Sequence, residues 1–166
     1  HFGWKWWKKQ NPDLDQVKLE LVDIWHFGLS EMLRSGPVDE AIAAQLSAIE
    51  AADLSASADV RAEHFRLAIE QLAAACLATR SFDLSSFKLA MASLPMDLPE
   101  LYSMYIGKNI LNRFRQNNGY KSGEYRKLWQ GREDNEHLVE LLDELSDVVE
   151  GLPDKLYAGL EARYTA

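Results

Sequence analysis

Disulfide bonds within the chain are excluded from the outset, because its 166 residues contain a single cysteine, Cys76. That cysteine sits in LAAACLA, an apolar run at helical spacing, where a small core side chain is the plain reading and a reactive thiol the special one. An unpaired cysteine suits a reducing, cytoplasmic setting. No apolar stretch approaches the roughly 20 residues that cross a bilayer, and no signal peptide is read at the start. Runs of alternating β-branched residues are missing too, which removes the usual strand signal. Positive charge is short: 18 Lys and Arg face 26 Asp and Glu, a formal net charge of −8. That balance argues against general binding to nucleic acid, whose phosphates favour a basic face. The chain opens on His1 rather than Met, and HFGWKWWKK starts abruptly, as expected of a chain whose upstream residues are absent.

What is present is helix. In NPDLDQVKLELVDIWHFGLSEMLRSG, Asn11 is a candidate N-cap, Pro12 takes the first helical position, and Gly36-Pro37 closes the segment. Leu14, Val17, Leu21, Ile24, Trp25 and Gly28 fall on one side of it. A second helix is expected over 38–54. Serines and Asp59 separate it from a third, DVRAEHFRLAIEQLAAACLATR. A short helix follows near 83–93, and another runs from about Pro99 to a stop at Asn118-Gly119. DNEHLVELLDELSDVVEG and PDKLYAGLEARY supply two more. The expected fold is an all-α helical bundle spanning 1–166 as a single domain.

Charge is distributed unevenly along these helices. ELVD places Glu20 and Asp23 three residues apart on one helix face, with Phe27 between them in projection. A pair bordering apolar surface suits a hard divalent ion, most simply Mg²⁺. An exposed acidic face with capping or salt-bridge roles produces the same spacing. His26 reads equally as a hydrogen-bonded, partly buried histidine. WKWWKK crowds Trp4, Trp6 and Trp7 against Lys5, Lys8 and Lys9. Core tryptophans with lysines at the rim, a base-plus-phosphate subsite, and an amphipathic anchor all fit.

The strongest local signal lies in KNILNRFRQNNGYKSGEYRKLWQGREDN, residues 108–135. Lys108, Arg113, Arg115, Lys121, Arg126 and Lys127 concentrate a third of the chain's positive charge in twenty residues, with Glu124 the one acid among them. Lys108, Asn112 and Arg115 form one stripe at a helix end. Beyond Gly119 a loop presents Tyr120, Lys121, Lys127 and Trp129. Cations converging from two elements suit an anion with many oxygens, and arginine adds a fork for phosphate. A solvated basic loop is the alternative.

These stretches carry a resemblance. ELVDIWHF, followed by YIGKNILNRFRQNNGYKSGEYRKLWQGREDN and preceded by WKWWK, closely resembles the dimeric all-α dUTPases of the MazG-like nucleoside-triphosphate pyrophosphohydrolases. The likeness follows chain order, while 38–96 aligns only as helices. It implies Mg²⁺-dependent hydrolysis of dUTP, and of dUDP, to dUMP with release of pyrophosphate or phosphate, by a homodimer. By the same resemblance Glu20 and Asp23 are metal carboxylates, and Lys108, Arg115, Tyr120 and Lys127 grip phosphates. His26 meets the deoxyribose 3′-hydroxyl, Phe27 packs where a 2′-hydroxyl would not fit, and Asn112 holds the nucleoside. Trp4 or Trp7 lines the uracil pocket near Lys5 and Lys8, and Lys121, Trp129 and Asn135 complete the motif. Residues 108–135 then form a phosphate lid.

The family's first ExxE helix and its uracil-reading segment, expected upstream of WKWWK, are not in this sequence. The general base is therefore expected before His1, and the chain alone is expected to be impaired. A related all-α hydrolase of other base preference and a non-catalytic nucleotide-binding module are the competing readings.

Overall fold

The computed structural model describes residues 14–36, 40–47, 55–148 and 150–165. The fold is all-α, and the chain divides into two compact units, residues 1–101 and 102–166.

In the first unit α1 spans Leu14–Ser35, α2 Glu40–Ser47, α3 Ala58–Thr79 and α4 Leu84–Ala92. The expected Asn11 cap and the outer parts of the 38–54 helix lie outside the described residues. α1 buries more of its circumference than its apolar stripe foretells: Lys18, Leu19 and Val22 join Val17, Leu21, Trp25 and Gly28. Leu14 stays exposed. Lys18 reaches the Glu100 carboxylate, to which its Nζ donates at 2.6 Å. Trp25 stacks on Phe87 with centroids 5.3 Å apart and meets Phe82 edge-on at 6.3 Å. Gly28 is required there, because a Cβ would stand 2.5 Å from the Phe82 ring.

Capping sets the next two helices. Ser57 accepts from the Val60 N–H at the start of α3, and Asp83 accepts from the Ser86 N–H at 3.0 Å to start α4. Arg80, at φ 55°, ends α3 in the left-handed conformation that glycine usually supplies. α4 then packs on α3.

α5 spans Leu98–Asn117, so the boundary between the units falls inside one helix. Gly119, at φ 84°, terminates it, with the Tyr120 N–H returning to the Arg115 carbonyl at 3.0 Å. In the second unit α6 covers Asp134–Glu144 and α7 Leu152–Thr165, and the two pack together. Between α5 and α6 lies a feature absent from the sequence reading. Leu128–Trp129 (β1) pairs antiparallel with Arg132–Glu133 (β2). Gln130 and Gly131 take φ of 52° and 82°, the doubly left-handed turn that matches strand twist in a two-residue hairpin. Strands this short carry no periodicity, and only the Gln-Gly pair hints at them.

Candidate active site

On α1 the two carboxylates lie on the solvent-facing stripe. Glu20 is exposed and Asp23 half-buried, and Phe27, one turn on, is 79% exposed. Burial from Val17 round to Leu19 pushes these three residues into the arc left open. His26 is half-buried, and its Nδ1 lies 3.1 Å from the Val22 carbonyl, which makes Nδ1 the donor. A cavity of about 350 Å³ opens beside Phe27, lined also by Ile24, Gly28, Leu72, Cys76 and Phe82, with Glu31, Arg80 and Ser81. Its walls are mostly apolar, so it suits a flat ring or a sugar face. Among the described residues no three His, Cys, Asp or Glu side chains converge on a metal position.

The basic stretch belongs to the second unit and is more ordered than a loop. Arg115, expected to grip phosphate, has a carboxylate partner inside the protein. Its Nε and Nη2 donate to the two oxygens of Asp134, each at 2.8 Å. Asp134 is completely buried and also accepts from the Tyr125 hydroxyl at 2.9 Å. Burial works against the Arg115 charge, but the Asp134 carboxylate outweighs it, and the guanidinium pKa is raised. For Tyr125, burial first and Asp134 second push the phenol upward, so it stays protonated and donating. Arg115 also donates to Asn112 Oδ1 at 3.3 Å and to Asn135 Oδ1 at 3.4 Å.

Trp129 corrects the sequence reading, which had it presented by a loop. It is 3% exposed, donates from Nε1 to the Arg126 carbonyl at 2.6 Å, and stacks on His137. Phe114 at the centre of this cluster meets Tyr125, Trp129, Tyr157 and Tyr164 edge-on. Tyr125 stacks on Tyr164 at 5.5 Å, and Arg126 covers the Tyr164 ring and donates to its carbonyl at 2.9 Å. The stretch is thus fastened to α7. Its most exposed part is the turn around Tyr120, Lys121 and Ser122, where the Ser122 hydroxyl donates to Glu124 at 2.6 Å and the Tyr120 ring lies 6.0 Å from Tyr125. Lys127 is exposed and lies 3.2 Å from Glu133, while Lys108 is buried on α5.

A family model described as dUTPase matches residues 1–120. The chain belongs to the dUTPase family. The match includes α1 and the whole of α5, the helix that carries Lys108, Asn112 and Arg115, and it stops at Tyr120, so Lys121 to Asn135 lie beyond it. No curated protein matches the chain. Of the dUTPase site residues read from sequence, the structure brings Asn112, Arg115 and Asn135 into one hydrogen-bonded group. It places Glu20, Asp23, His26 and Phe27 together along α1. Trp4, Lys5, Trp7 and Lys8 lie outside the described residues. Sequence reasoning missed Tyr125 and Asp134. An acid in the first turn of a helix reads as a dipole partner, and nothing in REDN signals a fully buried carboxylate.

Proposed function

We propose that the protein hydrolyses dUTP and dUDP to dUMP in the cytoplasm, with pyrophosphate or phosphate as the second product and a Mg²⁺-activated water as nucleophile. Membership of the dUTPase family over residues 1–120 carries this reading. Glu20 and Asp23 fit a metal of this kind, since Mg²⁺ ordinarily takes one or two carboxylates and completes its shell with water and phosphate oxygens. When bound, the ion supplies charge neutralisation and a more acidic water.

The chain's own residues do the positioning. Lys108, Arg115, Tyr120 and Lys127 hold phosphate oxygens, with Lys121 adding charge from the exposed turn. Phosphoryl-type hydrolysis depends on such placement more than on covalent chemistry. Phe27 closes against the sugar beside its apolar cavity, His26 meets the 3′-hydroxyl, and Asn112 holds the nucleoside. Trp4 or Trp7, with Lys5 and Lys8, lines the base pocket. The protein is further proposed to act as a homodimer. Leu67 and Leu77 on α3 are 45% and 83% exposed, apolar surface that a second copy would cover.

The deciding experiment is product analysis by ion-exchange chromatography after incubation with dUTP, dUDP, dTTP, dCTP and UTP, with Mg²⁺ and with a chelator. The reading requires Mg²⁺-dependent conversion of dUTP and dUDP to dUMP with the others untouched. Equal turnover of dTTP would assign another base preference.

A further inference from the structure

Asp134 sits where an acid is least expected, buried to 0% exposure within the stretch proposed to hold phosphates. Burying a carboxylate is costly, and a buried ion pair is weak evidence of a purely stabilising role, since apolar replacements often do as well. What the pair does supply is geometry. Arg115 has five N–H donors, and two go to Asp134, one to Asn112 Oδ1 and one to Asn135 Oδ1. A guanidinium can only donate, so each asparagine must turn its oxygen towards Arg115 and its NH₂ group away. Asn112 is exposed and Asn135 half-buried, so the Asn112 amide is directed outward as a donor. Tyr125 fixes Asp134 Oδ2, and the Asp134 N–H donates to the Lys127 carbonyl at 3.0 Å. One residue therefore sets the attitude of α5 side chains and of the backbone that carries Lys127.

We propose that Asp134 and Tyr125 are positioning residues for phosphate binding: they lock Arg115 so that it orients the Asn112 and Asn135 amides as donors to phosphate oxygens, one N–H of Asn112 meeting the phosphate next to the sugar and the other the nucleoside assigned to it above. Arg115 is then mainly an organiser, with one N–H left for ligand. The proposal rests on the phosphate-binding reading of residues 108–135. It differs from that reading in assigning roles to two residues that touch no ligand.

The test uses the full chain and inorganic pyrophosphate without divalent metal, so that the readout depends on the cation cluster and not on the α1 carboxylates. Affinity is measured by calorimetry, and folding by thermal melting, for wild type, Tyr125→Phe, Asp134→Asn, Asn112→Ala and the Tyr125→Phe/Asn112→Ala double variant. Tyr125→Phe leaves both Asp134 oxygens bonded to Arg115, so its melting temperature should fall by no more than about 4 °C. Its pyrophosphate affinity should fall about fivefold, the lower range of coupling within one hydrogen-bond network. The double variant should lose less than the product of the two single losses. A merely structural tyrosine would give additive losses, or none. If wild type binds pyrophosphate and both Tyr125→Phe and Asp134→Asn bind it equally well, the positioning role is overturned alone. If wild type does not bind pyrophosphate, the phosphate reading falls and takes this proposal with it.

Discussion

Arg115 and Asp134 are each other's reason for being tolerated where they are. The arginine side chain is 15% exposed and the aspartate not at all, so neither charge has water to fall back on. Truncating one partner strands the other, and Arg115→Ala should cost about 3–5 kcal/mol of folding stability, measured by denaturant unfolding without ligand. Glu20, by contrast, is exposed on α1. On the proposed metal role, Glu20→Gln should weaken Mg²⁺ binding by at least about a hundredfold, since even indirect metal contacts cost 10–100-fold, and abolish turnover. Intact activity in that variant would end the metal assignment.

Two elements, the hairpin and α7, hold the basic stretch in shape. Trp129 fills the space between Phe114, Tyr164 and His137. His137 reads as the neutral Nε2–H tautomer, because its Nε2 lies 3.0 Å from the Trp129 carbonyl while Nδ1 faces the donor-only Arg132. Trp129→Ala should therefore destabilise the second unit by about 3–5 kcal/mol, the range for losing a buried aromatic, and equilibrium unfolding would show it. Polar ties add to the aromatic ones. Glu140 on α6 pairs with Arg132 on β2 and, at 2.8 Å, with Arg163 on α7. Hydrogen bonding from Arg132, opposed by desolvation and aided by Arg163, holds the Glu140 carboxyl down at about 2. A depressed carboxylate stabilises above its unfolded value of 4.5 and loses that contribution as pH falls towards 2. Melting temperatures of wild type and Glu140→Gln should thus differ modestly at pH 6 and converge as the pH drops through that window. A gap that persists at pH 2 would contradict this. The effect is small because these charges are partly exposed.

At the scale of the whole molecule, an acidic chain of net charge −8 must bind an anionic substrate locally, through a cluster rather than a general field. Exposed cations such as Lys121 and Lys127 are screened by salt, whereas the buried Arg115–Asp134 pair is not. The exposed apolar side chains of α3 pose the other question at this scale. Light scattering should give twice the chain mass, and Leu77→Arg should shift it towards the monomer while leaving helix content intact. A chain that is already monomeric would remove the dimer from the proposal.

Helix existence was legible in the sequence because it rests on local causes. Spacing of Val17, Leu21, Trp25 and Gly28 and the stop at Gly119 are matters of neighbouring residues. The charge segregation in residues 108–135 and the likeness to dUTPases were legible for the same reason, since both are properties of the residues in order. The fate of individual side chains was not. Trp129 and Lys121 stand in one basic segment and look alike as candidates, yet one is buried and the other exposed. Only contacts between residues far apart in the chain decide that, here Phe114 and Tyr164 closing over the tryptophan. Arg115 looked like a phosphate fork until Asp134, nineteen positions away, claimed two of its donors. A sequence states which charges exist, but desolvation depends on the packing around each one, and that is fixed only when the helices meet.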